Sequence, residues 1–235
     1  MKTEPMPLSK EEKEAILEEA RDNNDFDYLL YKVLSTTGRR IGELYGVEET
    51  REIKRKIVGD RTISIQGKQT VVDKTIPMYK KLGKWNFGVK GKDIDFDRNT
   101  MLVWVLKRRK PMQDETVLTT EVAKLLKIFM KKNRIGLEDY VFRRPGRSYR
   151  NLNNVLKKYA KSAGIETEKQ TGEVKTNLSI HSFRHYFITE LKRQGWADDK
   201  IMILTGHKTA AVLKTYSHIV PYDIRSEMMD AVRNI

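Results

Sequence analysis

No cysteine occurs in the 235 residues. Disulfides, thiolate nucleophiles and cysteine-based zinc sites are thereby excluded, and any nucleophile must be an oxygen or nitrogen group. No apolar stretch approaches the length of a membrane span. The first residues, MKTEPMPLSKEEKEA, lack the apolar core of a signal peptide, so an intracellular protein is expected. There is no internal repeat, no low-complexity linker, no glycine-rich phosphate loop of the Walker type, and no cluster of carboxylates of the kind that holds two metal ions in a nuclease. Histidine is scarce as well: there are 4, all between positions 181 and 218.

Hydrophobic residues are plentiful at 39%, enough for a core in one large domain or two small ones. The 46 Lys and Arg against 32 Asp and Glu give a net charge of +14. That excess points to a polyanionic partner, nucleic acid or, less directly, an anionic membrane surface. Lysine and glutamate richness without cysteine is compatible with a thermophilic source.

Ser9 followed by Glu12 reads as a capping box opening a helix from about Lys10 to Arg21. Phe26, Leu29, Leu30, Val33 and Leu34, three and four apart, predict a second helix with a buried face that runs into TTGRRIGEL. Residues 48 to 58 are charged and helix-compatible, and RTISIQGKQTVVD alternates around Gly67-Lys68 like a β-hairpin. DIDFDRNTMLVWVLK reads as two strands joined by Asp97 to Asn99, with Met101, Val103 and Val105 on one face and Leu102, Trp104 and Leu106 on the other. A third strand is expected around Thr116 to Leu118, then helices over 120–133, 148–163, 181–194, 198–205 and 209–218. The fold class expected is mainly α with a small antiparallel β-sheet, a single domain over 1–235 ending in a charged tail helix at 222–235.

The histidine-bearing stretch holds the chemistry. In HSFRHYFITEL, spacings of three and four put His181, Arg184 and His185 on one helical face and Phe183, Phe187 and Leu191 on another. His181 and His185 could chelate zinc at that spacing. However, Ser182 stands where a metalloprotease helix carries its glutamate, and an arginine between the ligands would repel a dication, so no metal site is assigned. An arginine beside a histidine suits a phosphate better, the guanidinium fork donating two hydrogen bonds while the imidazole handles a proton. Upstream, Arg40 sits at the junction between a buried helix and the next, where Gly38 permits a tight turn and Glu43 can steer a guanidinium.

These motifs resemble those of the tyrosine recombinases, the phage integrase and Xer type of site-specific DNA recombinase, archaeal and viral integrases among them. The first box of that family, T-G-x-R-x-x-E-L, matches Thr37, Gly38, Arg40, Glu43 and Leu44. The second, H-x-[LF]-R-H, matches His181, Phe183, Arg184 and His185. The third, L-[GT]-H followed by tyrosine in a T-Y-[ST]-H context, matches Leu204, Gly206, His207 and Tyr216, with Thr205 inserted. The resemblance implies the fold of the DNA breaking-rejoining enzymes over nearly the whole chain and a site-specific recombinase or integrase needing no metal, nucleotide or other cofactor.

In that reading Arg40 and Arg184 clamp the scissile phosphate, His207 donates to a phosphate oxygen, Tyr216 attacks and His181 is the base, with Glu43 and His185 supporting. A lysine on a β-hairpin protonates the leaving 5′-oxygen: Lys107, with Lys110 as rival, among four basic residues that include Arg108 and Arg109. The partner implied is double-stranded DNA, bound as a homo-oligomer, dimer or tetramer, in the cytoplasm with the nucleoid and without a membrane. Two alternatives remain open: a type IB topoisomerase-like relaxing enzyme, and a catalytically inactive DNA-binding accessory protein.

The chain departs from the family pattern in two places. An N-terminal helical clamp usually precedes the first box, and Arg40 lies too near the start for one, which leaves a catalytic fragment or a minimal protein. Asp93 is 53 positions past Arg40, where about a dozen would be usual, so roughly forty residues are inserted. Across 48–92 there are 12 Lys and Arg against 5 Asp and Glu, a net +7, half the excess of the chain. Either this arm grips DNA phosphates through Lys54, Arg55, Lys56, Arg61 and Lys68, joined at the hairpin by Arg108 and Arg109, or it is a solvated protrusion or protein contact. The tail stripe Ile224, Met228 and Val232 packs either on a neighbouring subunit or on its own domain.

Overall fold

The computed structural model describes residues 3–6, 8–65, 68–105, 111–143, 149–171, 174–206 and 225–233. They divide into two units, Met1–Gly46 with Phe87–Ile235, and Val47–Asn86. The expected insertion, 48–92, coincides with the smaller unit up to Asn86, and Phe87 to Lys92 belong to the larger.

In the larger unit, strand β1 (Thr3–Pro5) precedes helix α1 (Lys10–Asn23). The capping box forms as expected: Ser9 Oγ accepts the Glu12 N–H at 3.1 Å, and Glu12 Oε2 accepts the Ser9 N–H at 2.9 Å. Helix α2 (Asp25–Thr37) is capped by Asn24, whose Oδ1 accepts the N–H groups of Phe26 and Asp27 at 3.0 and 3.2 Å. Nearly every residue of α2 is buried because α1, α4 (Thr120–Lys132) and α6 (His181–Arg193) all pack on it. Such a helix must be largely apolar around its circumference, as FDYLLYKVL is apart from Lys32 and the buried Asp27, whose Oδ2 accepts the Tyr159 hydroxyl at 2.9 Å. A short helix α3 (Ile41–Tyr45) follows the turn at the end of α2.

Strands β4 (Ile94–Asp95), β5 (Thr100–Val105) and β6 (Met112–Val117) form an antiparallel sheet in that order. The alternation read from the sequence holds over the described residues: Met101, Val103 and Val105 are buried, while Leu102 is exposed and Trp104 half-buried, and Leu106 lies outside them. Strand β6 begins several residues earlier than expected because Met112 to Glu115 pair with Val105 to Leu102. Helix α5 (Tyr149–Ser162) packs on α1, and helix α7 (Asp198–Thr205) on α6. A second sheet was not expected: β7 (Glu168–Thr171) and β8 (Val174–Asn177) form a hairpin, and β1 adds to β8 in parallel. The final helix, α8 (Arg225–Arg233), packs on its own domain through Met228, Ala231 and Val232, and Gln194 Nε2 donates to the Ala231 carbonyl at 3.2 Å. Ile224 and the expected helix over 209–218 lie outside the described residues.

The smaller unit corrects one expectation. Residues 48–58 are not helical: β2 (Val47–Ile65) is an extended strand paired antiparallel with β3 (Lys68–Asn86) over most of its length. The expected hairpin is therefore the tip of a far longer ribbon, and it closes with the pair Ile65 and Lys68, which puts Lys68 in a strand. The charges of 48–58 suit a helix, but Thr50, Ile53, Ile57 and Val58 are β-branched and β3 offers a full-length partner. Among the described residues no helix is long and apolar enough to cross a membrane.

Candidate functional site

The junction between α2 and α3 is a tightly specified turn. The Thr37 hydroxyl donates to the Val33 carbonyl at 2.7 Å and accepts the Arg39 N–H at 3.3 Å. Gly38 ends α2 in the left-handed region, with φ 60°, and its N–H donates to the Leu34 carbonyl at 3.1 Å. A Cβ there would lie 2.3 Å from Cδ1 of Phe187, so the ring of α6 occupies the space that glycine leaves. The threonine and glycine of TGRR thus bend the chain so that two consecutive arginines leave the helix in different directions.

Arg40 caps α3. Its N–H and its Nη1 donate to the two carboxylate oxygens of buried Glu43 at 3.2 and 3.1 Å, which fixes the guanidinium as the sequence suggested. The Arg40 Nε is buried and, among the described residues, has no hydrogen-bond partner. A donor kept dry and unsatisfied in this way costs folding free energy unless an anion completes it.

Arg184 arrives from the first turn of α6. Its Nη1 donates to the Gly38 carbonyl at 2.6 Å, which joins the second motif to the first. Burial, then the charge of Arg40 and, less strongly, of Arg39, pushes this guanidinium down to about 9, with Glu43 acting in the opposite direction. At neutral pH it remains a cation, held among cations where one carboxylate does not neutralise it. The helical-wheel expectation is corrected here: Arg184 is buried beside Phe183 and Phe187, while His181 and His185 are exposed. Those two rings meet edge to face with centroids 5.3 Å apart. The start of α6 is anchored by Asn153 Oδ1, which accepts the Ile180 N–H at 2.9 Å, and by Ser182 Oγ, which accepts the Ser179 N–H at 3.2 Å. Buried Tyr186, on the same helix, has its phenol pushed up by burial, so it is a poor nucleophile.

Arg39 was not singled out from the sequence, yet it links three elements. Fully buried, it pairs through Nη1 with Asp114 Oδ2 at 3.2 Å and donates from Nη2 to the Glu115 carbonyl at 2.9 Å, both on β6. A Cβ on Gly206, which ends α7 with φ 69°, would lie 2.9 Å from Arg39 Nη1. The third motif, through the residue before His207, therefore stands against the first. Only the doubled arginine and a distant aspartate could have signalled this.

The structure thus brings together Arg40, Glu43 and Arg184 and sets Gly206 beside Arg39. Lys107, Arg108, Arg109, Lys110, His207 and Tyr216 lie outside the described residues. Lys54, Arg55 and Lys56 are exposed on β2, and Arg61 and Lys68 occupy strand positions of the ribbon. Among the described residues no group of three or more His, Asp or Glu side chains gathers as a metal site would require. Chemically, the arrangement can bind and neutralise a phosphate-like anion.

Comparison with known proteins gives a consistent picture. A profile of the phage integrase family matches residues 87–221. Tyrosine recombinase XerA of Saccharolobus solfataricus is 29% identical over 142 residues, 60% of this chain and 42% of that protein. The crystal structure of XerA recombinase superposes with a TM-score of 0.56 at 20% identity, over 96% of this chain and 63% of that one. The integrase from mycobacterium phage Brujita gives 0.57 at 15% identity, over 99% and 59%. A lambda integrase dimer bound to a COC′ core site gives 0.54 at 15%, over 89% and 60%. These structures share the fold: helices with small antiparallel sheets. The chain spans less than half the length of the curated relative it matches.

Proposed function

The chain belongs to the phage integrase family, and from that premise we propose that it is a site-specific DNA recombinase or integrase that cuts and rejoins strands through Tyr216. The observation that carries this reading is the meeting of Arg40 and Arg184 at the Gly38 turn, where, among the described residues, two guanidiniums face one carboxylate and a buried Nε has no partner. A phosphodiester resists attack because its non-bridging oxygens are negative. Two fixed cations stabilise the charge that develops as the fifth oxygen approaches.

In the proposed step the Tyr216 phenol oxygen attacks phosphorus, the bond to the 5′-oxygen breaks, and a 3′-phosphotyrosyl intermediate forms. A free phenol has a pKa near ~10, so His181 takes its proton, while Lys107, or Lys110 in its place, returns one to the leaving 5′-oxygen. His207 donates to a phosphate oxygen. Attack by a 5′-hydroxyl on the phosphotyrosine reverses the sequence, so the bond energy is conserved and neither ATP nor metal enters. The exposure of His181 at the start of α6 is compatible with contact to a substrate arriving from solvent. Double-stranded DNA is the proposed substrate and a dimer or tetramer on DNA the proposed assembly, in a cytoplasmic, nucleoid-associated protein. Lambda integrase bound as a dimer to its core site supports both.

The test is incubation with a nicked suicide duplex followed by a denaturing gel. Wild type should give a covalent protein–DNA adduct and Tyr216→Phe none. An adduct surviving that substitution would move the nucleophile elsewhere.

A further inference from the structure

Strands β2 and β3 form a sheet of two strands only. Two strands of 19 residues each extend roughly 60 Å, and a two-stranded hairpin is marginal in water without a partner. Its register sorts the charged residues between its two faces. Strand β3 pairs without a break from Lys68 to Lys81, so its alternation defines two rows, and each β2 residue shares the row of its partner. Shifts between Glu52 and Lys54 and between Ile57 and Gly59 reset β2, so residues three apart in sequence fall in one row.

The two rows differ sharply in charge. One carries Lys54 opposite Met78, Lys56 opposite Ile76, Lys74 opposite Gly59 and Lys80 opposite Arg51; Arg61 and Lys68 continue it, and no Asp or Glu interrupts it. Lys54, Lys56, Lys74 and Lys80 are all exposed, and among the described residues none is ion-paired. The other row carries Glu52, Arg55, Asp60, Asp73 and Lys81, and there Arg55 Nε pairs with Glu52 Oε1 at 2.9 Å. An even scatter of charge would not place cations alone in one row and both signs, acids in the majority, in the other.

We propose that the lysine row of this ribbon is a phosphate-binding face for duplex DNA, with the Glu52–Arg55 row turned away from it. A two-stranded ribbon fits the major groove of B-DNA, and lysines projecting from it at alternate positions can reach phosphates. The exposed Ile76 and Met78 lie in the same row as the lysines, so apolar groups accompany them at the contact. Extension of the ribbon by a strand from another protein is disfavoured, because Pro77 lacks an N–H and the irregularities in β2 break the edge. This assignment divides the cations that charge alone groups together: Arg55 is excluded, and Lys74 and Lys80 are added.

The inference rests on the proposed DNA reaction only in naming DNA as the partner, and its readout is equilibrium binding rather than cleavage. The full chain carrying Lys54→Gln, Lys56→Gln and Lys74→Gln is compared with one carrying Thr62→Glu, Gln69→Glu and Thr75→Glu, which makes the same charge change on the opposite row. Affinity for a duplex is measured across a salt series, with thermal melts to confirm folding and adduct formation followed in parallel. The lysine variant should shallow the slope of log K against log salt by about 2 to 3, near 0.9 for each phosphate no longer neutralised. The glutamate variant should keep the wild-type slope. Equal losses of affinity in both variants, or none in either, overturn the proposal. So does a lysine variant that binds DNA normally but changes sedimentation state or loses binding to anionic lipid vesicles. Adduct formation without any ribbon effect would leave the recombinase reading standing and remove only this one.

Discussion

Arg184 donates to the Gly38 carbonyl at 2.6 Å across 146 residues of chain. That bond brings two motifs, far apart in sequence, to one point, and it places a buried cation where Arg40 opposes it and Glu43 only partly compensates. A site held in this state is costly when empty and complementary to an anion when filled.

Replacing that cation should therefore separate stability from chemistry. Arg184→Gln orphans the Gly38 carbonyl, at about 1–3 kcal/mol, but removes a desolvated charge, so the two terms oppose and the denaturation midpoint should stay close to wild type. Adduct formation should fall about 10²- to 10³-fold, the loss usual for removing one charge-stabilising donor. Arg184→Lys keeps the charge without the planar fork and should recover little activity. A Gln variant that cleaves at the wild-type rate would remove Arg184 from the clamp.

Gly38→Ala tests the turn itself. A left-handed alanine costs about 1–2 kcal/mol, and its Cβ at 2.3 Å from Phe187 adds about 1–3 kcal/mol of overpacking. In a Phe187→Leu background the second cost should largely vanish while the first persists. Urea denaturation of the four proteins measures the coupling. Additive effects would mean that the ring does not press on the turn.

Local features of the fold were legible and remote ones were not. The Ser9–Glu12 capping box and the alternation of β5 depend on neighbours a few residues apart, and both form as read. Residues 48–58 read as helix-compatible because charge is spread along them, but a strand beginning at Lys68 decides their state. Strands β1 and β8 are far apart in sequence, Thr3 pairing with Lys175, and are three and four residues long, too short to show alternation. In the site, residue type and spacing singled out Arg40 and Arg184, which the fold brings together. Arg39 carries the same side chain as Arg40, and only burial against Asp114 gives it a different task.

The depressed Arg184 pKa sets a pH window. The folded form releases this proton at about 9, while an unfolded chain holds it up to the ordinary arginine range. Between those values the unfolded state binds more protons, so the Arg184 contribution makes stability rise with pH there; below about 9 both states are charged and the contribution is flat. Activity should run the opposite way. The second-order rate of adduct formation, which reports the free enzyme, should decline as pH passes about 9 and the clamp loses charge. A rate still rising well beyond that pH would show that Arg184 remains charged or is not needed.

The Arg39–Asp114 pair should act as a brace for the third motif rather than as a contact to substrate. Arg39→Met leaves Asp114 largely buried and unpaired and strips the Glu115 carbonyl of its donor, so it should cost about 3–5 kcal/mol. Adding Asp114→Leu removes the stranded charge and should recover at least half of that loss, a coupling that denaturation of the four proteins reads directly. Cleavage should not recover with it, because Gly206, one residue before His207, has lost the guanidinium it stands against. DNA affinity should remain near wild type in the double variant, which distinguishes misplacement of the third motif from loss of binding. A double variant that is both stable and fully active would reduce Arg39 to a packing residue.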